Sequence, residues 1–357
     1  MAYNIHHPSS IIDQQLITTL RNVAPDAEQL SMLHPAQLDI IYSQRWFKLF
    51  VPASSGGLEL SLPDVLKLEE ALSWVDGSLG WVVTLCAGAG WFIGFIPQTV
   101  SGAIFTNEKL CLAGSGAMNG YADLTENGFV INGSWPYASG AMHATAFTAN
   151  CLIRKNNQQL YQTDGTPQVA AFILDSEEVV LKQTWKTMGM CATGSHAFEV
   201  SNLLVPVDRT FIIDPEHAVL NHPVYQYPFL QLAETTLAVN MSGMALRFME
   251  LVELEATQGK IKKTTITLEV SDTLNQVRKT FFEIASTSWE TLIRDKTIPV
   301  ALLKKVSSIS QDLVRASKTS INTLYPFGGL KAATTNTEMN RIWRNFHTAS
   351  QHALFNK

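Results

Sequence analysis

His352 and Ser139 carry side chains that can do chemistry. An unperturbed imidazole titrates at about 6.5, so His352 can take a proton from a bound molecule, or hydrogen-bond to it, near neutrality. Ser139 directly precedes Gly140, and its hydroxyl can donate or accept without carrying a charge. The same serine would equally satisfy a turn ending at Gly140. His143 follows shortly after and is a second candidate for proton transfer. His347 precedes His352 at a spacing that turns the two side chains apart along a helix. Ser115 stands between Gly114 and Gly116, where missing side chains allow either close approach to a ligand or a bulge. Histidines and carboxylates do not cluster at metal-ligand spacing, so no metal site is expected. The cysteines Cys86, Cys111, Cys151 and Cys191 are widely spaced with no C-x-x-C pair, which fits a reducing compartment and argues against a disulfide framework.

The elements that must position these residues fall into three regimes, and 357 residues suffice for two or three domains. From Pro8 to about Asn107 the pattern is helical. Leu62, Val65, Leu66, Leu68 and Leu72 recur at helical spacing, Ser61 can cap that helix with Asp64 at its third position, and Asp64, Glu69 and Glu70 are expected on the wet face. From about Leu110 to Leu220 short strands alternate. Turn dipeptides Asn127-Gly128 and Asn132-Gly133 bracket Phe129-Val130-Ile131, Asp164-Gly165 marks another turn, and further strands are expected over Ala144–Ile153, Val169–Leu174, Val179–Leu181 and Ala197–Val205. From about Phe229 long helices return over Leu232–Gln258, Thr265–Arg294, Val300–Leu324 and Thr337–Leu354, broken at Gly259, Pro299 and Phe327-Gly328-Gly329. The expected fold class is therefore α+β, mostly α. It has an N-terminal helical domain (1–108), a central small β-barrel or sandwich (109–220) and a C-terminal four-helix bundle (221–357).

The hydrophobic fraction of 46% and charged fraction of 16% supply a large core, and the low charge hints at an oligomer. A net charge of -5 gives no reason to expect nucleic acid, and Lys260, Lys262 and Lys263 read as a solvated loop. Met1–Ser10 has no basic segment followed by an apolar one, so a cytoplasmic chain is expected. Leu79–Ile96 is long and apolar enough to span a bilayer. Gly80, Gly88, Gly90 and Gly94 interrupt it and no Lys or Arg flanks it closely, so a buried helix flooring an apolar pocket is expected, and no membrane.

Four stretches, in order, resemble the acyl-CoA dehydrogenase superfamily, and specifically its two-component flavin-dependent monooxygenases, the aromatic hydroxylases and dibenzothiophene-type enzymes. They are Glu70-Ala71-Leu72 through Gly80-Trp81; Gly133-Ser134-Trp135-Pro136-Tyr137-Ala138-Ser139-Gly140, like W-x-F-x-S-G; Trp185 to Gly189 with Thr193-Gly194-Ser195 and Val205-Pro206; and Arg341-Ile342-Trp343-Arg344-Asn345 ending in His352. The resemblance implies an oxidoreductase that takes reduced FAD or FMN from a separate flavin reductase and oxygenates an apolar or aromatic small molecule. It implies that Ser139 faces the N5 edge of the flavin and that Tyr137 flanks the ring. Trp135, Ala138 and Ser115 belong to the same flavin-contacting strands. Trp135 should share a face with Tyr137 by strand alternation. His352 would lie over the flavin near the end of the last helix. Gly328 and Gly329 match a turn that contacts the dinucleotide of a flavin on a neighbouring subunit, which favours a homo-oligomer, a tetramer or dimer.

The dehydrogenases' own signatures are missing. Their proton-abstracting carboxylate is replaced by Ser350-Gln351-His352-Ala353-Leu354, and Glu250, Glu253 and Glu255 do not clearly fill the alternative position. Their T-E-P…G-S-D and R-x-x-F-G motifs are absent, the latter's place falling near Gly259-Lys260. Relatives of the hydroxylase type often carry a histidine where this chain reads Ala87-Gly88-Ala89-Gly90-Trp91-Phe92. Two alternatives stay open: an acyl-CoA dehydrogenase-type oxidation of a CH–CH bond, and a non-catalytic flavin-binding relative.

Overall fold

The computed structural model describes residues 5–258 and 265–356; the expected breaks and loop at Gly259, Lys260, Lys262 and Lys263 lie outside them. The chain begins with helices α1 (Gln14–Leu30), α2 (Pro35–Ser43), α3 (Leu62–Val75), α4 (Gly77–Gly90) and α5 (Gln98–Phe105). Each start has a local cause. Asp13 accepts the Gln15 N–H at 2.8 Å to open α1. Ser61 accepts the Asp64 N–H to open α3, as its spacing predicts. Asp76 both ends α3 and opens α4 by accepting the Leu79 N–H at 3.0 Å. The apolar run is α4 with the turn after it, and 89% of Gly77–Gly94 is buried inside the protein. Gly80 is required there, because a Cβ would come within 2.6 Å of the Ser73 backbone on α3.

The expectation that Glu69 and Glu70 face water is wrong: both are buried. Glu70 receives two bonds from the Arg278 guanidinium, each 2.6 Å, and a third from the Ser242 hydroxyl at 2.5 Å. The charge that a local reading assigns to solvent is instead neutralised by a helix far along the chain.

Eight strands follow: β1 (Leu112–Thr125), β2 (Gly128–Ala138), β3 (Ala146–Lys155), β4 (Gln158–Gln159), β5 (Val169–Asp175), β6 (Val180–Lys182), β7 (His196–Val205) and β8 (Thr210–Phe211). They form one mixed sheet in the order β6-β7-β2-β1-β3-β5-β8, with β4 on β3 and a parallel β1/β3 pair. Asn127-Gly128 makes the β1–β2 turn. Asn132-Gly133 does not make a turn. The strand runs through it, and the register against β7 slips between Ile131 and Gly133. Gly133 serves packing, since a Cβ there would meet the Trp135 ring at 2.6 Å. Trp135, Phe147, Phe172 and Phe198 build a second core inside this region, separate from the main helical core.

The chain ends with α6 (Phe229–Thr257), α7 (Thr265–Asp295), α8 (Val300–Leu324), α9 (Gly329–Ala333) and α10 (Glu338–Ala349). Helix α6 packs against α3, α8 and α10, and α7 against α8. The fold is thus mostly helical around one mixed sheet. The last helix stops earlier than its periodicity suggests, at Ala349, leaving Ser350-Gln351-His352 beyond it.

Candidate active site

Ser139 is buried where β2 leaves the sheet, and a relay of hydroxyls fixes what it can do. Its Oγ lies 2.9 Å from Ser195 Oγ, which lies 2.7 Å from Thr193 Oγ1. Thr193 donates to the Met190 carbonyl at 2.7 Å. A carbonyl only accepts and each hydroxyl has one proton. Thr193 therefore spends its proton on Met190, Ser195 must donate to Thr193, and Ser139 must donate to Ser195. What remains on Ser139 is a lone pair, so toward any ligand it acts as an acceptor.

The backbone holds that hydroxyl in place from both sides. Gly140 adopts φ +77°, its N–H donates to the Thr193 carbonyl at 2.9 Å, and a Cβ there would strike Cys86 Sγ at 2.7 Å. Cys86 on α4 lies 3.6 Å from the Ser139 carbonyl and 3.6 Å from Cys111 Sγ. The hydrogen bond to Cys86, with burial, pushes the Cys111 thiol well above its usual range.

Tyr137 and Trp135 part company. Trp135 is fully buried, stacked on Phe198 at 5.1 Å, with its Nε1–H given to the Asn150 carbonyl. Tyr137 takes φ +66° and is 69% exposed, its ring edge-on to Trp185 at 6.1 Å. The register of β2 on β7 shifts between Trp135 and Ala138, so simple alternation fails, and Trp135 packs into the core of the sheet region. Ala138 is buried. Ser115 begins an outward bulge, because β1 spends the residues from Ser115 to Gly120 opposite only Ala149 to Cys151.

His352 reaches the same helix from the other side. It caps the turn Ala353–Phe355 by accepting the Leu354 N–H on Nδ1 at 3.3 Å, and its ring sits edge-on to Trp81 of α4 at 5.8 Å. That bond leaves the proton of the neutral ring on Nε2, and burial lowers its pKa. Ser139 and His352 therefore both pack against α4, at Cys86 and at Trp81 respectively.

His143, in the turn after Gly140, is held at a pKa of about 4 by burial, and its Nε2 is buried with no partner. His347 on α10 likewise has a buried unpartnered Nε2, packs its ring 4.3 Å from Trp343, and is lowered by burial and then by Lys318. Gly328 is buried, with a Cβ position 2.4 Å from Met339 Sδ, so packing requires it. Gly329 takes φ +53° in open space beside Leu330, which is 85% exposed. Of the acidic candidates on α6, Glu250 accepts from Trp74 and His7 and pairs with Arg247, and Glu255 pairs with Lys331.

Sequence reasoning quoted Thr193 and Ser195 as part of a motif but missed their role, and it missed Trp81, Cys86 and Trp185 as neighbours of the site. The segment carrying Thr193 and Ser195 is anchored to α10. The Met190 N–H donates to Asn345 Oδ1 at 2.6 Å, a Cβ at Gly189 would strike the Arg344 carbonyl at 2.1 Å, and Arg344 ion-pairs with Glu28. The helix that leads to His352 thus also steadies the relay under Ser139.

The chain is similar to known proteins along most of its length. Residues 232–357 match the family model described as acyl-CoA dehydrogenase, C-terminal domain. The chain is 26% identical over 320 residues to an indole-3-acetate monooxygenase of Acinetobacter baumannii, covering 86% of this chain and 80% of that protein. It is 26% identical over 365 residues to the oxygenase subunit HsaA, a flavin-dependent monooxygenase of Mycobacterium tuberculosis, covering 95% and 89% respectively. The crystal structure of the M. tuberculosis HsaA monooxygenase superposes with a TM-score of 0.87 over 98% of this chain and 94% of that one, at 22% identity. XiaF from Streptomyces, solved with FADH2 and glycerol, gives 0.84 over 96% and 91% at 20% identity. The chain thus resembles the acyl-CoA dehydrogenase superfamily, by its C-terminal helices and by its fold, and the relatives from A. baumannii and M. tuberculosis are named as monooxygenases, the latter as the oxygenase subunit of a flavin-dependent enzyme.

Proposed function

We propose that this protein is the oxygenase component of a two-component flavin-dependent monooxygenase, acting on an apolar aromatic small molecule. One observation carries the reading: an acceptor hydroxyl, Ser139, and a neutral imidazole, His352, both pack against the same uncharged helix, α4. Two of the buried carboxylates near that helix face arginines. Glu70 is locked to Arg278. Asp76 faces Arg341 at 3.6 Å. Burial pushes the Glu69 carboxyl well above its usual range, an effect the Thr84 hydroxyl tempers. Neither arginine-paired carboxylate is free to take a proton from a bound molecule.

The residues present fit a reduced isoalloxazine, whose N5 carries a proton and so matches an acceptor. The unpartnered Nε2 of His143 is an orphaned polar atom of the kind a bound ligand or water satisfies. Ser139, Ser115, Tyr137, Ala138 and His143 would hold the flavin, and Gly328 and Gly329 would meet the dinucleotide of one bound by a second copy. When bound, reduced flavin supplies the electrons that activate oxygen. Ser139 anchors the ring edge. His352 would offer Nε2–H to the substrate, and α4 would keep water out. The cofactor is FAD or FMN delivered by a flavin reductase, and the exposed Leu330 supports a homo-oligomer, dimer or tetramer. The same reading takes the chain as a cytoplasmic, three-part molecule, with a helical part (1–108), a small β-barrel or sandwich (109–220) and a four-helix bundle (221–357).

Stopped-flow mixing of the protein loaded with reduced flavin against oxygen tests the reading. The expected record is a transient spectrum distinct from both reduced and oxidised flavin. Direct one-step reoxidation counts against it.

A further inference from the structure

Between Gly77 and Ile96 every residue is buried except three: Leu85, Gly88 and Phe92. Their spacing of three and four puts them on one stripe of the helix, which Trp81 extends by one turn to His352. At the other end Phe92 contacts the rings of Phe211 at 5.5 Å and Phe229 at 5.8 Å. The stripe lies beside the face on which Val82 and Cys86 meet Gly140.

Gly88 differs from its neighbouring glycines. A Cβ at Gly80, Gly90 or Gly94 would meet other atoms at 2.6, 3.0 and 2.3 Å, so close packing explains those residues. A Cβ at Gly88 meets nothing within 4 Å, and its φ is not in the left-handed region. Alanine would fit there and would favour the helix. Neither packing nor backbone shape asks for glycine at this position. What glycine does is leave a gap between Leu85 and Phe92.

We propose that Gly88 opens a side slot of the oxygenation site and selects fused-ring aromatic substrates, with the polar substituent at His352 and the second ring over Gly88. The inference rests on the oxygenase reading above. From Trp81 to Phe92 the stripe is about 16 Å long at 1.5 Å per residue, which is well beyond a single ring. Its walls, Trp81, Leu85, Phe92, Phe211 and Phe229, carry no charge, and His352 at one end is the polar group that sets orientation. A slot of this chemistry rewards added apolar ring area and gives little to a small polar molecule.

The test uses the full chain loaded with reduced flavin under anaerobic conditions, with phenol and 2-naphthol as probes in equilibrium dialysis. The parent should bind 2-naphthol at least about tenfold more tightly than phenol. In Gly88→Leu that preference should vanish, with the phenol Kd within about threefold of the parent's. Gly88→Ala, which cannot strain the helix, should show a reduced preference and a Tm at or above the parent's. A parent that binds neither probe, a parent without the preference, or a Gly88→Leu that keeps it overturns the proposal. Oxygen reactivity of the loaded Gly88→Leu protein is read separately. Its normal transient with an unchanged probe preference sinks the slot alone, whereas loss of the slot in a protein that never shows the transient sinks the oxygenase reading alone.

Discussion

The hydroxyls of Ser139 and Ser195 stand 2.9 Å apart, and the proton between them belongs to Ser139. This follows from the end of the relay, where Thr193 gives its proton to a carbonyl. A serine that must donate inward can only accept outward, which suits the N5–H of reduced flavin and not the bare N5 of the oxidised ring. Ser139→Ala should therefore weaken reduced-flavin binding by about tenfold, the worth of one hydrogen bond, and change oxidised-flavin binding less. Ser195→Ala frees the Ser139 proton and should narrow the ratio of reduced to oxidised affinity while leaving Ser139 in place. Anaerobic fluorescence titration of both variants reads both effects.

His352 should act through its uncharged ring. His352→Ala is expected to lower product formation by roughly 100- to 10,000-fold while reduced flavin still binds. Because burial lowers its pKa, the acid limb of kcat/KM should fall below the ordinary imidazole value near 6.5. The limb should disappear in His352→Gln. An unchanged limb in that variant would assign it to another group.

His143 sets a pH dependence of stability. Its folded pKa of about 4 lies below the unfolded value of 6.5, so the unfolded chain binds the extra proton first. Stability from this group is complete above about pH 6.5 and is lost as pH falls toward 4, by up to about 3 kcal/mol. Melting curves at pH 7.5 and 5 should separate, and His143→Gln should bring them closer. Identical separation in the variant would show that His143 is not the source.

Arg278 and Glu70 form a buried pair that should not tolerate the loss of one partner. Arg278→Met leaves the Glu70 carboxylate buried with only Ser242 to answer it, and should cost about 3–5 kcal/mol in urea unfolding. The double variant Glu70→Gln, Arg278→Met should recover part of the loss. A cost below about 1 kcal/mol would place the pair in solvent-like surroundings.

Much of the fold was legible because its signals are local. Ser61 with Asp64, Asn127-Gly128 and the alternation of β3, β5 and β7 depend on neighbours a few residues away. The misread features depend on distant ones. Glu70 looks solvent-facing until Arg278, 208 residues later, is placed beside it. The split of Trp135 from Tyr137 needs a left-handed tyrosine, which no glycine announces. The early end of α10 has no Gly or Pro signal. There the His352 side chain caps the next turn, so the residue chosen for its chemistry also breaks the helix on which it was expected. Ser139 and His352 were visible through the resemblance, but their shared packing against α4 and the polarity of Ser139 were not.

Titrating the anaerobic parent protein with reduced and then oxidised FMN and FAD tests the central claim most directly. An acceptor at Ser139 predicts that the reduced form of at least one flavin binds about tenfold or more tightly than its oxidised form. Equal affinity, preference for the oxidised ring, or no binding of either flavin would contradict it.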